Sequence, residues 1–464
     1  MRRAISHAAL CCALLTTPAR AAADDAWWTG FASPPGGEGC ENTVFGLSAI
    51  GGNLYAGGIF QNAGGEAGTR NVARWTGAAW LPLKAGVRNV VHCFTGYGPD
   101  VVAGGNFDKS AEFPGVAMER IGRFDGVEWY TLGSGMNGEV RAVVIWNSEL
   151  IAGGRFTLAG GGSANYLARW DGAAWHPLGA GVSGVAGETK VNALAVWNGR
   201  LVIGGSFDLA GGLATRGLAV WDGVSYDTLN EGLDPAGEVH ALHVRPEGLY
   251  AAGAFSTIGG VPAGNCARWD GTAWASLGAG SDGAVRALAS YDDALVAGGS
   301  FTTIGGAAAA SVAWWNGSAW SPLGSGIAGV VQALAPLDGS LYVGGSFTAA
   351  GESEAKNIAR WIGPLPIPAG TTPGTPRATL RISPQPARDR VTLRWSGPAA
   401  GSGLSLHDAS GRALLDLPPN AGSGSSGQAE LQLRDPDGSP LPSGVYYLRS
   451  DRDRSVLGRV IVLR

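Results

Sequence analysis

One aromatic residue returns along most of this chain at nearly constant intervals, and that repetition limits the possible folds more than any other feature. The element is Gly-Gly-x-Phe, as in Gly57-Gly58-Ile59-Phe60. Its phenylalanine recurs at Phe60, Phe107, Phe156, Phe207, Phe255, Phe301 and Phe347, in steps of 46 to 51 residues. A second element, Ala-Arg-Trp-Asp-Gly in its clearest copies, places an aromatic at Trp75, Phe124, Trp170, Trp221, Trp269, Trp315 and Trp361. Five residues later a third follows at Trp80, Trp129, Trp175, Tyr226, Trp274 and Trp320. The 77 glycines among 464 residues, about one in six, would disrupt almost any helix. The chain is nonetheless 45% apolar with regularly spaced aromatics, so disorder is excluded and an all-β, turn-rich protein remains.

A period near 46–51 residues falls in the range of propeller blades. Each unit reads as four short strands. In one unit these are 191–196, 201–207, 218–221 and 226–229, with a hairpin at Asn198-Gly199 and a tight turn at Asp222-Gly223. The turn recurs at Asp125, Asp171, Asp222, Asp270 and Asn316, each followed by Gly, and both of its residues are expected at positive φ. The paired glycines suit close backbone approach near a crowded axis. Seven units are present, and the seventh ends at Trp361-Ile362-Gly363 without a fourth strand. Trp28-Thr29-Gly30 matches Trp75-Thr76-Gly77, so residues 27–33 are expected to pair with the last unit and close the ring. Closure would remove the exposed sheet edges. The expected fold is an all-β seven-bladed β-propeller over 24–363, closed by an N-terminal strand.

A Gly-Gly in the second strand, an aromatic in the third and a Trp in the fourth resemble kelch-type propellers. The phrase Asn-Ala-Leu-Ala…Gly-Gly-x-Phe…Ala-Arg-Trp-Asp-Gly-x-x-Trp is similar to the repeats of fungal bud-site cortical-marker propellers and their bacterial relatives. That resemblance implies a fold and an extracellular setting, and no reaction. Residues 364–376 form a Pro/Gly/Thr linker. The segment 377–464 carries seven alternating strands, which suggests a small immunoglobulin-like β-sandwich. Its motifs, Ile382-Ser383-Pro384-Gln385-Pro386, Leu406-His407-Asp408-Ala409-Ser410-Gly411-Arg412 and Ser443-Gly444-Val445-Tyr446-Tyr447, resemble the C-terminal sorting domain of type IX secretion cargo. They are also similar to the flagellar-hook-cap type of immunoglobulin-like domain. Gln385 departs from the usual Asn between the two prolines. The resemblance implies passage through an outer-membrane secretion machinery.

At the other end, Arg2 and Arg3 precede an apolar stretch from Ala4 to Leu15 and an Ala19-Arg20-Ala21 cleavage site, with Ala21-Ala22-Ala23 as the alternative. This reads as a signal peptide over 1–23, too short to span a membrane. The expected address is secreted, or on the outer cell surface of a Gram-negative bacterium. Removing the three signal arginines leaves 30 basic and 37 acidic residues. From Arg377 onward there are 12 Arg and 8 acids, so the preceding body carries a net charge of −11. An acidic body argues against nucleic acid as a partner. Cys40, Cys93 and Cys266 are too few for a disulfide framework; Cys93 stands where other repeats mostly carry Ala, and Cys266 where they carry Val, Leu or Ile.

No catalytic constellation, metal-ligand spacing or cofactor motif is present in the sequence. His240 and His243 are three apart on a predicted strand and are expected on opposite faces. One position varies where its neighbours stay constant. Near the start of each first strand it holds Phe45, His92, Arg141, Asn192, His240, Arg286 and Gln332. Two residues earlier, on the same predicted face, come Thr43, Val90, Glu139, Lys190, Glu238, Ala284 and Val330. These positions are expected at the mouth of the central channel, where divergence between repeats can build a site. The candidate binding residues are His92, Arg141, Asn192, His240, Arg286, Gln332, Glu139, Glu238 and Lys190, of anion-preferring character. A solvated rim with no ligand is the competing reading. Two loop insertions, 108–120 and 183–190, are placed at the same mouth. Three functions stay open: a non-enzymatic module binding a glycan, an envelope component or a protein; a carbohydrate-active enzyme using Glu139 or Glu238; or a structural surface-layer component.

Overall fold

The computed structural model describes residues 26–31, 39–112, 114–185, 187–362 and 365, and, further on, 379–383, 390–396, 404–407, 413–416, 426–434, 438–442, 444–450 and 456–462. The signal-peptide reading and nearly all of the linker lie outside these residues. So do the Pro384-Gln385-Pro386 and Asp408–Arg412 motifs. The chain divides into two compact units, Met1–Pro366 and Ile367–Arg464. Among the described residues there is no helix, and none long and apolar enough to cross a membrane.

The first unit is propeller-like: a series of small antiparallel sheets, each built in chain order. Their first strands are Val44–Ile50, Val91–Tyr97, Val140–Trp146, Lys190–Trp197, Glu238–Arg245, Val285–Tyr291 and Ile327–Leu337. Each of these packs against the next, and the last packs against the first. Trp27–Trp28 completes the last sheet by pairing with Ile358–Ile362. Its register differs from the expectation. Trp27 lies opposite Trp361 as Trp80 lies opposite Trp75, so Trp27 fills the fourth-strand aromatic place and Trp28 corresponds to Leu81. Phe31, fully buried, then packs on Trp75 and Trp80.

The two repeated glycines are needed for two different physical reasons. A methyl group on the first would strike the next sheet: at Gly104 it would lie 2.6 Å from Val140 Cγ1, at Gly153 2.5 Å from Val191 Cγ1 and at Gly344 2.7 Å from Val44 Cγ1. A methyl on the second would strike its own sheet's backbone, 2.0 Å from the Glu139 carbonyl oxygen at Gly154 and 1.9 Å from that of Glu238 at Gly253. Only the first place tolerates change, because the fifth sheet has Ala252 there, fully buried beside Val285.

Neighbouring sheets are also stitched by polar contacts. The indole Nε1 of Trp129 donates to the Leu83 carbonyl at 3.0 Å, Trp175 to Leu132 at 2.7 Å, Trp274 to Leu229 at 3.0 Å and Trp320 to Leu277 at 2.8 Å. Tyr226 fills the same place, its hydroxyl donating to the Leu178 carbonyl at 2.6 Å. A residue at positive φ before the third strand provides another tie. Asn357 accepts from the Phe347 amide and donates to the Cys40 carbonyl, joining the last sheet to the beginning of the first.

The Asp-Gly turns differ from the expectation. Gly172 has φ 103° and Gly223 φ 110°, but the aspartates before them do not adopt positive φ. Their carboxylates instead accept from the backbone amides two and three residues on, as Asp171 does from Ala173 and Ala174 at 2.8 and 2.9 Å. The Asn198-Gly199 hairpin does place both residues at positive φ. Short two-stranded ribbons between second and third strands, such as Leu158–Ala159 with Gly162–Ser163, were not legible as strands.

The second unit holds a three-stranded sheet ordered 379–383, 390–396, 426–432, and a four-stranded sheet ordered 413–416, 404–407, 444–450, 456–462. Its buried apolar residues include Val391, Leu393, Leu406, Leu431 and Val462.

Candidate functional site

The seven variable residues share a structural cause. Each first strand carries a β-bulge, with the register shifting between Val140 and Ala142 in the third sheet and between Val239 and Ala241 in the fifth. The extra residue at each bulge is the variable one: Phe45, His92, Arg141, Asn192, His240, Arg286 and Gln332. Bulges re-aim side chains and are common beside binding sites. The second glycine makes the bulge possible, since the carbonyl before the conserved Val occupies the space a Cβ would need. That Val is fully buried in all seven sheets, whereas the bulge residues and those two positions earlier are half-buried. Pairing is antiparallel, so the bulges gather at one end of the sheets and both sets of hairpins at the other.

Much of the ring is wired together. Glu139 Oε1 lies 2.5 Å from His92 Nε2, and Arg141 Nε donates to Glu139 Oε2 at 2.8 Å. Arg141 Nη1 donates to Asn192 Oδ1 at 3.2 Å, and Asn192 Nδ2 donates to Glu238 Oε1 at 2.8 Å. Glu238 also meets Lys190 Nζ at 2.9 Å and His240 Nδ1 at 3.3 Å. Seven of the nine candidate residues therefore form one connected network across four neighbouring inner strands. Arg286 and Gln332 stand outside it; neither makes a side-chain hydrogen bond or ion pair among the described residues. Phe45 packs edge-on against His92 with centroids 5.3 Å apart.

The two carboxylates are held ionised. Burial raises the Glu139 pKa, but the bond to His92 and the charge of Arg141 outweigh it and bring it to about 2. For Glu238 burial is likewise overcome, by His240 and Lys190, to about 2. A glycosidic acid needs a raised pKa, so neither group is a proton donor near neutrality. Among the described residues no cluster of His, Cys, Asp or Glu could hold a metal ion. The thiols of Cys93 and Cys266 are pushed up to about 12 by burial, which makes them poor nucleophiles.

Sequence reasoning missed a second network at the hairpin end. His243 Nε2 lies 2.7 Å from Ser290 Oγ, and Arg245 donates to Glu247 at 2.5 Å and to the Asp293 carbonyl at 2.8 Å. His240 and His243 thus have separate partners. No repeat pattern marks these residues, because each sheet differs there. A cavity of about 270 Å³ opens at the same end beside Trp146, Glu149, Arg169 and Trp221. Its two indoles are buried and its charges are paired, Arg169 to Glu149 at 2.6 Å.

No established protein family and no curated protein matches the chain. Solved structures similar to it include PorZ, a bacterial surface component of the type-IX secretion system of Porphyromonas gingivalis, at 15% identity and TM-score 0.44. That match covers 93% of this chain, which spans 61% of the PorZ chain. The GH74 enzyme of Niastella koreensis is similar at 12% identity and TM-score 0.44, over 95% of this chain and 75% of that one. The computationally designed Ika8 protein is similar at 16% identity and TM-score 0.43, over 70% and 98%.

Proposed function

We propose that residues 24–363 form a kelch-like seven-bladed β-propeller that acts as a non-enzymatic binding module, secreted or held at the outer surface of a Gram-negative cell. Its ligand is a glycan, an envelope component or a protein, received at the ring of bulge residues. Residues 377–464 act as a type IX sorting domain of immunoglobulin-like build. One observation carries the reading: seven equivalent bulges, on a frame of invariant glycines and buried valines, present seven side chains of which no more than two are alike. A frame kept constant while its presented surface varies is what ligand recognition requires, and a packing role would not demand that variety.

The purified protein on a glycan array tests this directly. Binding should be lost in the Arg141→Ala/Arg286→Ala double variant while its near-ultraviolet tryptophan spectrum is kept. Polysaccharide turnover abolished by Glu238→Gln would overturn the reading in favour of catalysis. Deletion of residues 377–464 should abolish surface display, and unchanged display would refute the sorting role.

A further inference from the structure

The network of carboxylates leaves one cation over. Arg141 and Lys190 are each matched to a carboxylate, but no acid of the ring reaches Arg286. Counting only guanidinium and ammonium groups, Arg141, Lys190 and Arg286 outnumber Glu139 and Glu238 by one charge, at one place on an otherwise acidic body.

The state of this guanidinium is also unusual for the molecule. Its Nε is buried without a hydrogen-bond partner, as are the Nε atoms of Arg120, Arg123 and Arg360. Those three are compensated otherwise. Arg120 Nη1 donates to Glu119, Arg123 sits beside Asp100 and over the Tyr130 ring, and Arg360 lies over Trp28 and Tyr342. Arg286 has no such carboxylate or ring among the described residues. A buried charged donor without a partner is costly, and native structures usually satisfy it, with protein, ordered water or a bound ion.

From this we infer that Arg286 is the seat for the carboxylate of an acidic sugar, which deepens the binding reading above and rests on it. The outer Nη edge of this guanidinium, which unlike Nε is not buried, can donate two parallel N–H···O bonds to a carboxylate, and a neutral sugar offers no charged partner for it. The next inner strand brings Gln332, and the one after it Phe45. An amide suits sugar hydroxyls, and a half-buried aromatic suits the apolar face of a pyranose. The carboxylate would restore charge balance to the ring without disturbing the Glu139–Arg141–Asn192–Glu238 chain.

The test is calorimetric titration of the full-length protein with sodium glucuronate, glucose, sodium sulfate and a tetraglutamate peptide, at low ionic strength. Glucuronate should bind and glucose should not. Arg286→Gln should weaken glucuronate by about tenfold or more, as expected for loss of charge-assisted hydrogen bonds. Arg286→Lys should fall between, because it keeps the charge and loses the fork. An unchanged tryptophan spectrum in both variants would exclude misfolding. The inference is overturned if Arg286→Gln binds glucuronate as well as the parent does. It is also overturned if sulfate or the peptide binds through Arg286 in preference to glucuronate, or if no probe binds. Ring-dependent binding of a neutral glycan on the array, unaffected by Arg286→Gln, would overturn this inference while leaving the binding module intact.

Discussion

The two glycines of each second strand offer a sharp perturbation, since their neighbours give opposite answers to the same added methyl group. In the third sheet, Gly153→Ala places a Cβ 2.5 Å from Val191 Cγ1, the end of a side chain in the next sheet. Gly154→Ala places one 2.0 Å from the Glu139 carbonyl oxygen, which belongs to the bulge itself. Ordinary contact begins near 3.4 Å, so the overlaps are roughly 0.9 and 1.4 Å. Overpacking of this kind costs about 1–3 kcal/mol when side chains can yield, and more when backbone must move.

Relief should therefore be selective. Val191→Ala alone removes two buried methyl groups, at about 0.8 kcal/mol each before any cavity cost. Combined with Gly153→Ala, it vacates the space the new methyl needs, so the pair should be at least about 1 kcal/mol more stable than additivity expects. Combined with Gly154→Ala it should give no such coupling. Denaturant unfolding followed by tryptophan fluorescence measures this, because sixteen of the seventeen tryptophans lie in the first unit. Equal rescue of both glycine variants by Val191→Ala would refute the assignment of separate roles, as would a Gly154→Ala protein as stable as Gly153→Ala.

Acid should weaken the first unit in two windows. His243 is lowered from 6.5 to about 4 by burial and the nearby Arg245 charge, against the pull of Glu247, so the unfolded chain takes up its proton first and stability falls between about pH 6.5 and 4. His243→Gln should flatten that window alone in a pH series of unfolding curves. Glu139 and Glu238 are depressed from 4.5 to about 2, so their contribution is complete above pH 4.5 and is lost on going toward 2. Glu139→Gln should reduce the slope there and leave the upper window unchanged. Tyr226→Phe removes one inter-sheet donor and strands the Leu178 carbonyl, which should cost about 1–2 kcal/mol in denaturant unfolding; no change would mean that water replaces the hydroxyl.

The repeat made the sheets legible because Phe60, Trp75 and Trp80 mark fixed places in one unit and recur in the next. The ring position was legible for the opposite reason: variation stood out between a constant Val and a small residue. The bulge was hidden, since an extra residue in a strand leaves no mark except the second glycine, which reads equally well as close backbone approach near a crowded axis. The pairing of Glu139 with His92 and Arg141, and of Glu238 with Lys190, was also beyond the sequence, which orders the strands but does not show how each bulge aims its side chain. The closing strand was located at the N-terminus but misaligned: the match of Trp28 to Trp75 gives it a third-strand place, whereas Trp27, opposite Trp361, holds the fourth-strand place of Trp80. The shared Trp-Thr-Gly triplet drove that match, and only the pairing of Trp27 with Trp361 reveals the fourth-strand place.

The bulge ring is proposed as the surface that meets a ligand. Hydrogen–deuterium exchange of the full-length protein, with and without a glycan selected on the array, tests it most directly. Slowed exchange is expected at the beginnings of the first strands, around 139–142, 190–193, 238–241, 284–287 and 330–333, with none added at the hairpin end around 147–149 and 222–224. Protection confined to the hairpin end, beside Trp146 and Arg169, would contradict it.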